Sequence, residues 1–172
     1  MTMFHWRDDV RGQAMVEFTL VIMVVILIMV GILDFGRVIF AHNDSSHASR
    51  VAARQASVSP LDCEGIFYVV QHQTLGQDNV TATVSYRSGP SPLNQNPPWN
   101  NSVCPAYDPA ATYDNDPATG SFSTAVTPVI GGEIRVRVRN SVALATPILS
   151  NLVGSSIAVS GSSTMTVTFV PS

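Results

Sequence analysis

The sequence contains no lysine and few charged residues of either sign. Nine arginines face twelve aspartates and glutamates, which gives a net charge of −3, and charged residues make up 12% of the 172-residue chain. Because phosphate binding needs a basic face, this balance argues against nucleic acid as the main partner. The two cysteines cannot by themselves build a disulfide-dense small fold or a four-ligand zinc site. A DNA-binding domain, a disordered chain and a large multidomain enzyme are excluded, which leaves a small membrane-tethered domain.

The sequence also lacks a recognisable catalytic constellation. It has no glycine-rich phosphate loop, no Gly-x-Ser-x-Gly motif and no paired carboxylates in an apolar setting. His42 and His47 are five residues apart and do not share a helix face that could hold a metal. The spacing of Asp108, Asp114 and Asp116 matches no EF-hand and favours a solvated turn over a calcium site. We therefore expect no enzymatic activity, no cofactor and no bound metal.

The apolar residues are concentrated in one run over residues 18–33, which carries no charge. Extending the run back to Gln13 gives about 31 Å of helix, enough to cross a bilayer, but the extension includes Glu17. An ionised side chain in mid-bilayer costs about 3 kcal/mol on insertion scales, so Glu17 needs a functional explanation. No small-x-small site follows closely, which disfavours a cleaved signal peptide. Arginines flank both ends of the run, so orientation rests on the polar, lysine-free composition downstream, which favours export.

The helix is expected to continue beyond the membrane. Residues 34–58 contain no proline. The first proline after the apolar run is Pro60, which disfavours a helical conformation at the residue before it. One helical stripe there consists of residues small enough for helix backbones to approach closely, namely Ala48, Val51, Ala52 and Ala56. We expect one helix over residues 13–57; the alternative is two helices with a break at residues 42–46.

Three later segments, residues 80–86, 133–139 and 164–170, alternate apolar and polar residues as half-buried strands do. Residues 61–76 are expected to form a second helix closed by Gly76, and Thr146-Pro147 suits the start of a short helix. The predicted fold class is α+β. A long N-terminal membrane-spanning helix leads to a small exported domain with a roughly three-stranded antiparallel sheet and one or two short helices.

Residues 88–132 form a long polar stretch that holds eight of the eleven prolines. An irregular stretch of this length indicates either function or disorder. Cys104 lies within it and Cys63 follows the long helix, so a disulfide between them would attach the loop to the helix; the alternative is two free thiols. The aromatic residues of the stretch form either a contact surface or the contacts that hold the long loop on the sheet. They are Trp99, Tyr107, Tyr113 and Phe122.

The N-terminal sequence resembles a type IV prepilin processing site, in the variant of the tight-adherence (Tad/Flp) pilus system. Gly12 is followed by four residues and then by Glu17-Phe18 directly before the apolar run. Asp34-Phe35-Gly36-Arg37 is similar to the family's acidic-x-Gly-Arg element, with Asp where Glu is commoner, and residues 48–56 to the Ala/Arg-rich helix of TadE-like proteins. The C-terminal strand order follows the family loosely, and residues 88–132 are not covered. The major Flp pilin is far shorter, so the chain resembles a TadE-like minor pilin or pseudopilin.

This resemblance implies cleavage after Gly12 by a prepilin peptidase, which leaves Gln13 as the new N-terminus. Glu17 lies one helical turn further on and would neutralise that amine, in its own chain or in a neighbouring subunit, and so set the axial register. The other residues that the resemblance assigns to assembly are Phe18, Asp34, Gly36 and Arg37.

The implied organisation is a cytoplasmic leader over residues 1–12, a long helix over 13–57 with its transmembrane part at about 14–33, and an exported domain over 58–172. The implied partners are the prepilin peptidase, other Tad/Flp pilins and pseudopilins, an inner-membrane assembly platform and membrane lipid. The protein would be a single-pass protein of the bacterial inner membrane, with a cytoplasmic N-terminus, that supports adhesion or pilus biogenesis. The alternative is an unprocessed bitopic membrane protein whose exported domain binds a ligand or a surface through residues 88–132.

Overall fold

The computed structural model describes residues 9–60, 62–74, 79–89, 97–100, 103–114, 127–146, 150–151 and 154–168. The chain order within them is α1 (Asp9–Val58), α2 (Cys63–Gln73), β1 (Val80–Arg87), β2 (Glu133–Ala143) and β3 (Ser156–Thr166). The strands form one antiparallel sheet with β2 in the centre. This arrangement confirms the predicted α+β class.

Helix α1 is a single helix of 50 residues, about 75 Å long. The expected continuous helix is therefore confirmed, and the alternative with a break at residues 42–46 is wrong. The second half of the helix has the neighbours that such a length requires, because it packs against the sheet through small residues. The buried alanines on this side are Ala41, Ala48, Ala52, Ala53 and Ala56. The helix contacts α2 as well as the sheet, and its buried alanines belong to one core with residues of both.

The closest approach between helix and sheet is at Gly161 in β3. A Cβ atom at this position would overlap the backbone carbonyl of Ser45 in α1. The Ser45 side chain leaves room for the strand because its hydroxyl turns back and donates to the carbonyl of Ala41 at 2.8 Å. Glycine is therefore required here by the contact itself, and not by an unusual backbone angle.

The sheet buries one face against α1 and leaves the other face open. In β2, Ile134, Val136 and Val138 are fully buried, while the residues between them point away from the helix. The strands expected at residues 80–86 and 133–139 are confirmed and run slightly further. The third strand was misplaced at residues 164–170: it begins at Ser156, because β2 continues to Ala143 and provides it with a pairing partner. Residues 169–170 lie outside the described residues.

Helix α2 is shorter than the expected 61–76 and begins after Asp62, whose Oδ1 accepts the Gly65 N–H at 2.9 Å. It ends at Thr74, whose backbone N–H and hydroxyl both donate to the Val70 carbonyl. These two polar residues satisfy the helix ends that the sequence pattern had placed further out. Gly76 lies outside the described residues.

The helical turn expected at Thr146 is only partly described. The Ser150 N–H donates to the Thr146 carbonyl at 3.0 Å, a spacing of four residues that is typical of an α-helix. Residues 147–149 lie outside the described residues.

The expected disulfide joins Cys63 of α2 to Cys104, with the two Cα atoms 5.6 Å apart. Beyond this bond, the rings of Tyr107 and Tyr113 each meet the Phe67 ring edge-on with centroids 5.4 Å apart. Burial raises the pKa of Tyr107, and Tyr113 and Asp108 raise it further. Tyr107 and Tyr113 thus hold the loop on α2, whereas the simpler interpretation placed the contact on the sheet. Trp99 does lie on the sheet, beside Arg135. Phe122 lies outside the described residues.

The acidic part of the loop is a turn in the described residues. Asp108 accepts the Ala110 N–H at 2.9 Å through Oδ1, which is typical of an Asx turn. Within the described part of the chain, no group of three or more His, Cys, Asp or Glu residues is placed to hold a metal ion. Asp116 lies outside it.

Candidate functional site

The N-terminal half of α1 is an apolar helix that nothing in the fold covers. Phe18 is 67% exposed and Leu20 is 62% exposed, and the most apolar 18-residue window of the helix has none of its residues buried. In the described residues, α1 is the one helix long and apolar enough to cross a membrane. An apolar surface of this extent is covered by lipid or by other helices in any stable state.

The residues expected at the processing site lie at the start of this helix. Gly12, Gln13, Glu17 and Phe18 are all exposed. A Cβ atom at Gly12 would have no neighbouring atom within 4 Å. Glu17 lies four residues after Gln13, about 6 Å along the helix axis. The fold therefore uses none of these side chains, and they are available for contacts outside the chain.

The Asp34-x-Gly36-Arg37 element is divided between the fold and the surface. Asp34 is only 4% exposed. Its carboxylate accepts the backbone N–H groups of Ala145 at 3.1 Å and Thr146 at 3.0 Å, and also the Thr146 hydroxyl. Gly36 and Arg37 point outward. Asp34 thus holds the connection between β2 and β3 against the helix, just beyond the apolar run.

A second polar attachment lies at the other end of the packed half of α1. The Ser57 carbonyl accepts the backbone N–H of Thr168 at 3.0 Å and its hydroxyl at 3.2 Å. From Asp34 to Ser57 the helix rises about 35 Å. The sheet is therefore bonded to α1 at both ends of the segment on which it lies, and the exposed segment begins directly before the first bond.

The helix also carries the similarity to known proteins. Residues 12–54 match the model of a family described as TadE-like protein. This segment is TadE-like. The match begins at the expected cleavage residue and ends within the alanine-rich, sheet-packed part of α1, so it contains every residue that the sequence assigned to processing and assembly. No curated protein and no solved structure matches the chain.

The match over this segment agrees with the resemblance that the N-terminal sequence indicated. The two halves of this segment have different surroundings, since residues 12–29 are all exposed and many residues after Asp34 pack against the sheet. Thr146 is the site residue that the sequence analysis missed. Its only signal was the Thr-Pro pair, which indicated a helix start and gave no indication of a bond to a residue in α1.

Proposed function

We propose that this chain is a non-catalytic minor pilin or pseudopilin of a Tad/Flp-type pilus assembly and secretion machine. The observation that carries the proposal is the uncovered apolar half of α1, which coincides with the start of the TadE-like match. In this proposal the helix lies in lipid before assembly and packs against other pilin helices afterwards. The sheet domain remains outside the helical layer.

The proposal includes cleavage after Gly12 by a prepilin peptidase. The Gly12–Gln13 bond lies in the first turn of α1, where helices fray and where the backbone is most easily presented to a protease. Gly12 has no side chain and no packing role, so close approach to this bond disturbs nothing in the fold.

Glu17 supplies the specificity of assembly in this proposal. After cleavage, the α-amine of Gln13 is a cation beside the carboxylate of Glu17 or of the Glu17 in an adjacent subunit. In the low dielectric of packed apolar helices an unpaired carboxylate is costly, so the register that pairs it with an amine is preferred. Phe18, Gly36 and Arg37 are the exposed residues that would contact neighbouring subunits.

The proposed location is the bacterial inner membrane, with a cytoplasmic N-terminus and an exported sheet domain that can enter a surface pilus. The Cys63–Cys104 disulfide supports export, because such bonds persist in oxidising compartments. The proposed partners are the prepilin peptidase, other Tad/Flp pilins and pseudopilins, the assembly platform and membrane lipid.

Mass spectrometry of the N-terminus, on protein purified from native membranes, tests the processing step. A chain that starts at Gln13 is expected, and Gly12→Val should leave the chain uncut. Gly36→Val is the matched control, because both glycines lie in α1 and a Cβ at either meets no atom within 4 Å. A wild-type chain that keeps Met1 to Gly12 in cells with an active peptidase would instead favour the unprocessed bitopic protein.

Glu17→Gln and Glu17→Asp separate assembly from processing. Both variants should be cleaved and inserted normally. The Gln variant, which loses the charge, should be missing from the sheared pilus fraction or from the assembly complex, while the Asp variant should be retained in part. Normal incorporation of Glu17→Gln would contradict the register role.

A further inference from the structure

The outer face of the sheet carries every arginine of residues 58–172. Four arginines occur in this part of the chain, at positions 87, 135, 137 and 139. In β2, the side chains at positions 134, 136 and 138 are buried toward α1, so those of Arg135, Arg137 and Arg139 point to the opposite side. Alternate residues of one strand lie about 6.6 Å apart, so three guanidinium groups follow one another along a straight row.

Rows of hydroxyl groups border the arginines on both sides. The register places Ser85, Thr83 and Thr81 of β1 opposite Arg135, Arg137 and Arg139, in that order. On the other side, β3 places Thr164, Ser162 and Ser160 opposite the same three residues. We call these nine residues the arginine face. In this face each cation stands between two side chains that both donate and accept hydrogen bonds.

Within the part of the chain that the structure describes, carboxylates do not balance the positive charge of the three arginines in this face. Arg87 forms an ion pair with Glu133, Nη2 to Oε2, at 2.5 Å. Among the described residues, no carboxylate lies within ion-pair distance of Arg135, Arg137 or Arg139. Adjacent like charges repel and lower stability. A row of three cations in a chain of net negative charge therefore indicates a surface suited to an anionic ligand.

Trp99 fixes one end of the row before any ligand binds. Its ring lies 3.8 Å from the Arg135 guanidinium carbon and 4.7 Å from that of Arg87. The next residue, Asn100, exchanges two backbone hydrogen bonds with Tyr86 at 2.7 and 2.8 Å, which holds the tryptophan beside β1. A shallow concavity of about 370 Å³ lies over the arginine face and is lined by Trp99 and by all three arginines.

We propose that the arginine face binds an acidic polysaccharide that carries repeated carboxylate groups. Guanidinium groups pair with carboxylates through two parallel hydrogen bonds, and the flanking Ser and Thr hydroxyls match the hydroxyl groups of sugar rings. The open groove along β2 accommodates an extended chain in which successive acidic groups meet successive arginines. The binding site depends only on the sheet and is independent of the processing at Gly12.

A single-stranded nucleic acid is the competing polyanion, and the structure disfavours it. Binding of that kind relies on aromatic side chains on which successive bases stack. Among the described residues, Trp99 is the aromatic residue that contacts the arginine face, and two guanidinium groups already stack on its ring.

Trp99 fluorescence in the full chain, in a non-ionic detergent, provides the test. The chain has two tryptophans, so the Trp6→Phe background leaves Trp99 as the only reporter. Titration with polygalacturonate is expected to give a saturable change that salt weakens, and neutral dextran none. In this background Arg137→Gln/Arg139→Gln should bind polygalacturonate about tenfold more weakly or worse. The matched control is Arg50→Gln/Arg54→Gln, two exposed arginines of α1, which should bind as the background does.

Circular dichroism of each variant shows whether the fold is kept. Co-elution of polygalacturonate with the protein from a size-exclusion column gives a second measure of binding. Equal affinity of the folded Arg137→Gln/Arg139→Gln variant and its control would overturn the proposal. Tighter binding of oligo(dT) than of polygalacturonate would assign the face to nucleic acid and would also overturn it. A saturable fluorescence change with dextran would show that the face does not recognise charge and would likewise overturn the proposal.

Discussion

The carboxylate of Asp34 accepts the backbone N–H of Thr146 at 3.0 Å, across 112 residues of sequence. The same side chain accepts the Thr146 hydroxyl and the Ala145 N–H, so one aspartate satisfies three donors of the β2–β3 connection. This acidic residue belongs to the element that resembles the TadE-like pattern. Its position in the fold shows that an acidic residue here has a structural use, while its part in assembly stays a prediction.

Removal of this carboxylate should loosen the sheet from the helix. Asp34→Ala leaves the Thr146 hydroxyl and N–H without their acceptor, so we expect a melting temperature several degrees lower. Thr146→Val should have a smaller effect. Because both side chains belong to one interaction, the melting temperature of the double variant should fall by less than the sum of the decreases in the two single variants. Thermal unfolding followed by near-ultraviolet circular dichroism measures all four proteins, and strictly additive losses would count against the interaction.

Gly161 should not tolerate even a methyl group. Gly161→Ala forces the β3 backbone away from Ser45, and we expect a loss of about 1–3 kcal/mol in the free energy of unfolding. Gly36→Ala is the control, because the added Cβ meets no atom within 4 Å and alanine is the better helix former by up to about 1 kcal/mol. Denaturant unfolding of both variants gives the comparison. A Gly161→Ala protein as stable as wild type would show that the helix and the strand are not in close contact.

The disulfide should contribute strongly to the stability of the domain. It closes a loop with a sequence separation of 41, for which the chain-entropy model gives about 4 kcal/mol. Cys63→Ser/Cys104→Ser should unfold at a lower temperature than wild type, and a reducing agent should lower the wild-type value toward that of the variant. Reducing agent should leave the variant itself unchanged. A similar shift in both proteins would assign the effect to something other than this bond.

The raised pKa of Tyr107 predicts a specific loss of stability in alkali. In the unfolded chain a tyrosine ionises near pH 10, whereas burial beside Phe67 keeps Tyr107 protonated to higher pH. Its contribution is therefore complete below about pH 10 and is lost as the pH rises through the higher folded value. Tyr107→Phe should remove this part of the pH dependence, and absorbance titration of tyrosinate compared with wild type identifies it. An unchanged titration curve would contradict the assignment.

The sequence predicted the long helix and two strands because their signals are local. A 50-residue helix without internal proline and two segments with strict alternation need no knowledge of their neighbours. The third strand was misplaced because Gly161 and the serines around it lack the apolar alternation. They are small because α1 passes directly over them, a reason that exists only in the folded chain.

The candidate site residues also divide into those with a local signal and those that depend on the fold. Gly12 and Glu17 could be predicted from the sequence because they belong to a short motif next to an apolar run. The bond between Asp34 and Thr146 is not readable, since it depends on a contact across most of the chain. The alternation of arginines in β2 was visible, but the hydroxyl rows beside them follow from strand register, which the sequence does not specify without the turn and bulge geometry of the connections.

The sheet is bonded to α1 through Asp34 at one end and Ser57 at the other, with the strand backbone in contact at Gly161 between them. No linker therefore separates the anchor from the domain. A force applied to the exposed N-terminal half of the helix reaches the strands through packed atoms, and any rotation of the helix about its axis turns the arginines of β2 through the same angle. The orientation of the sheet domain is thus determined by the orientation of α1.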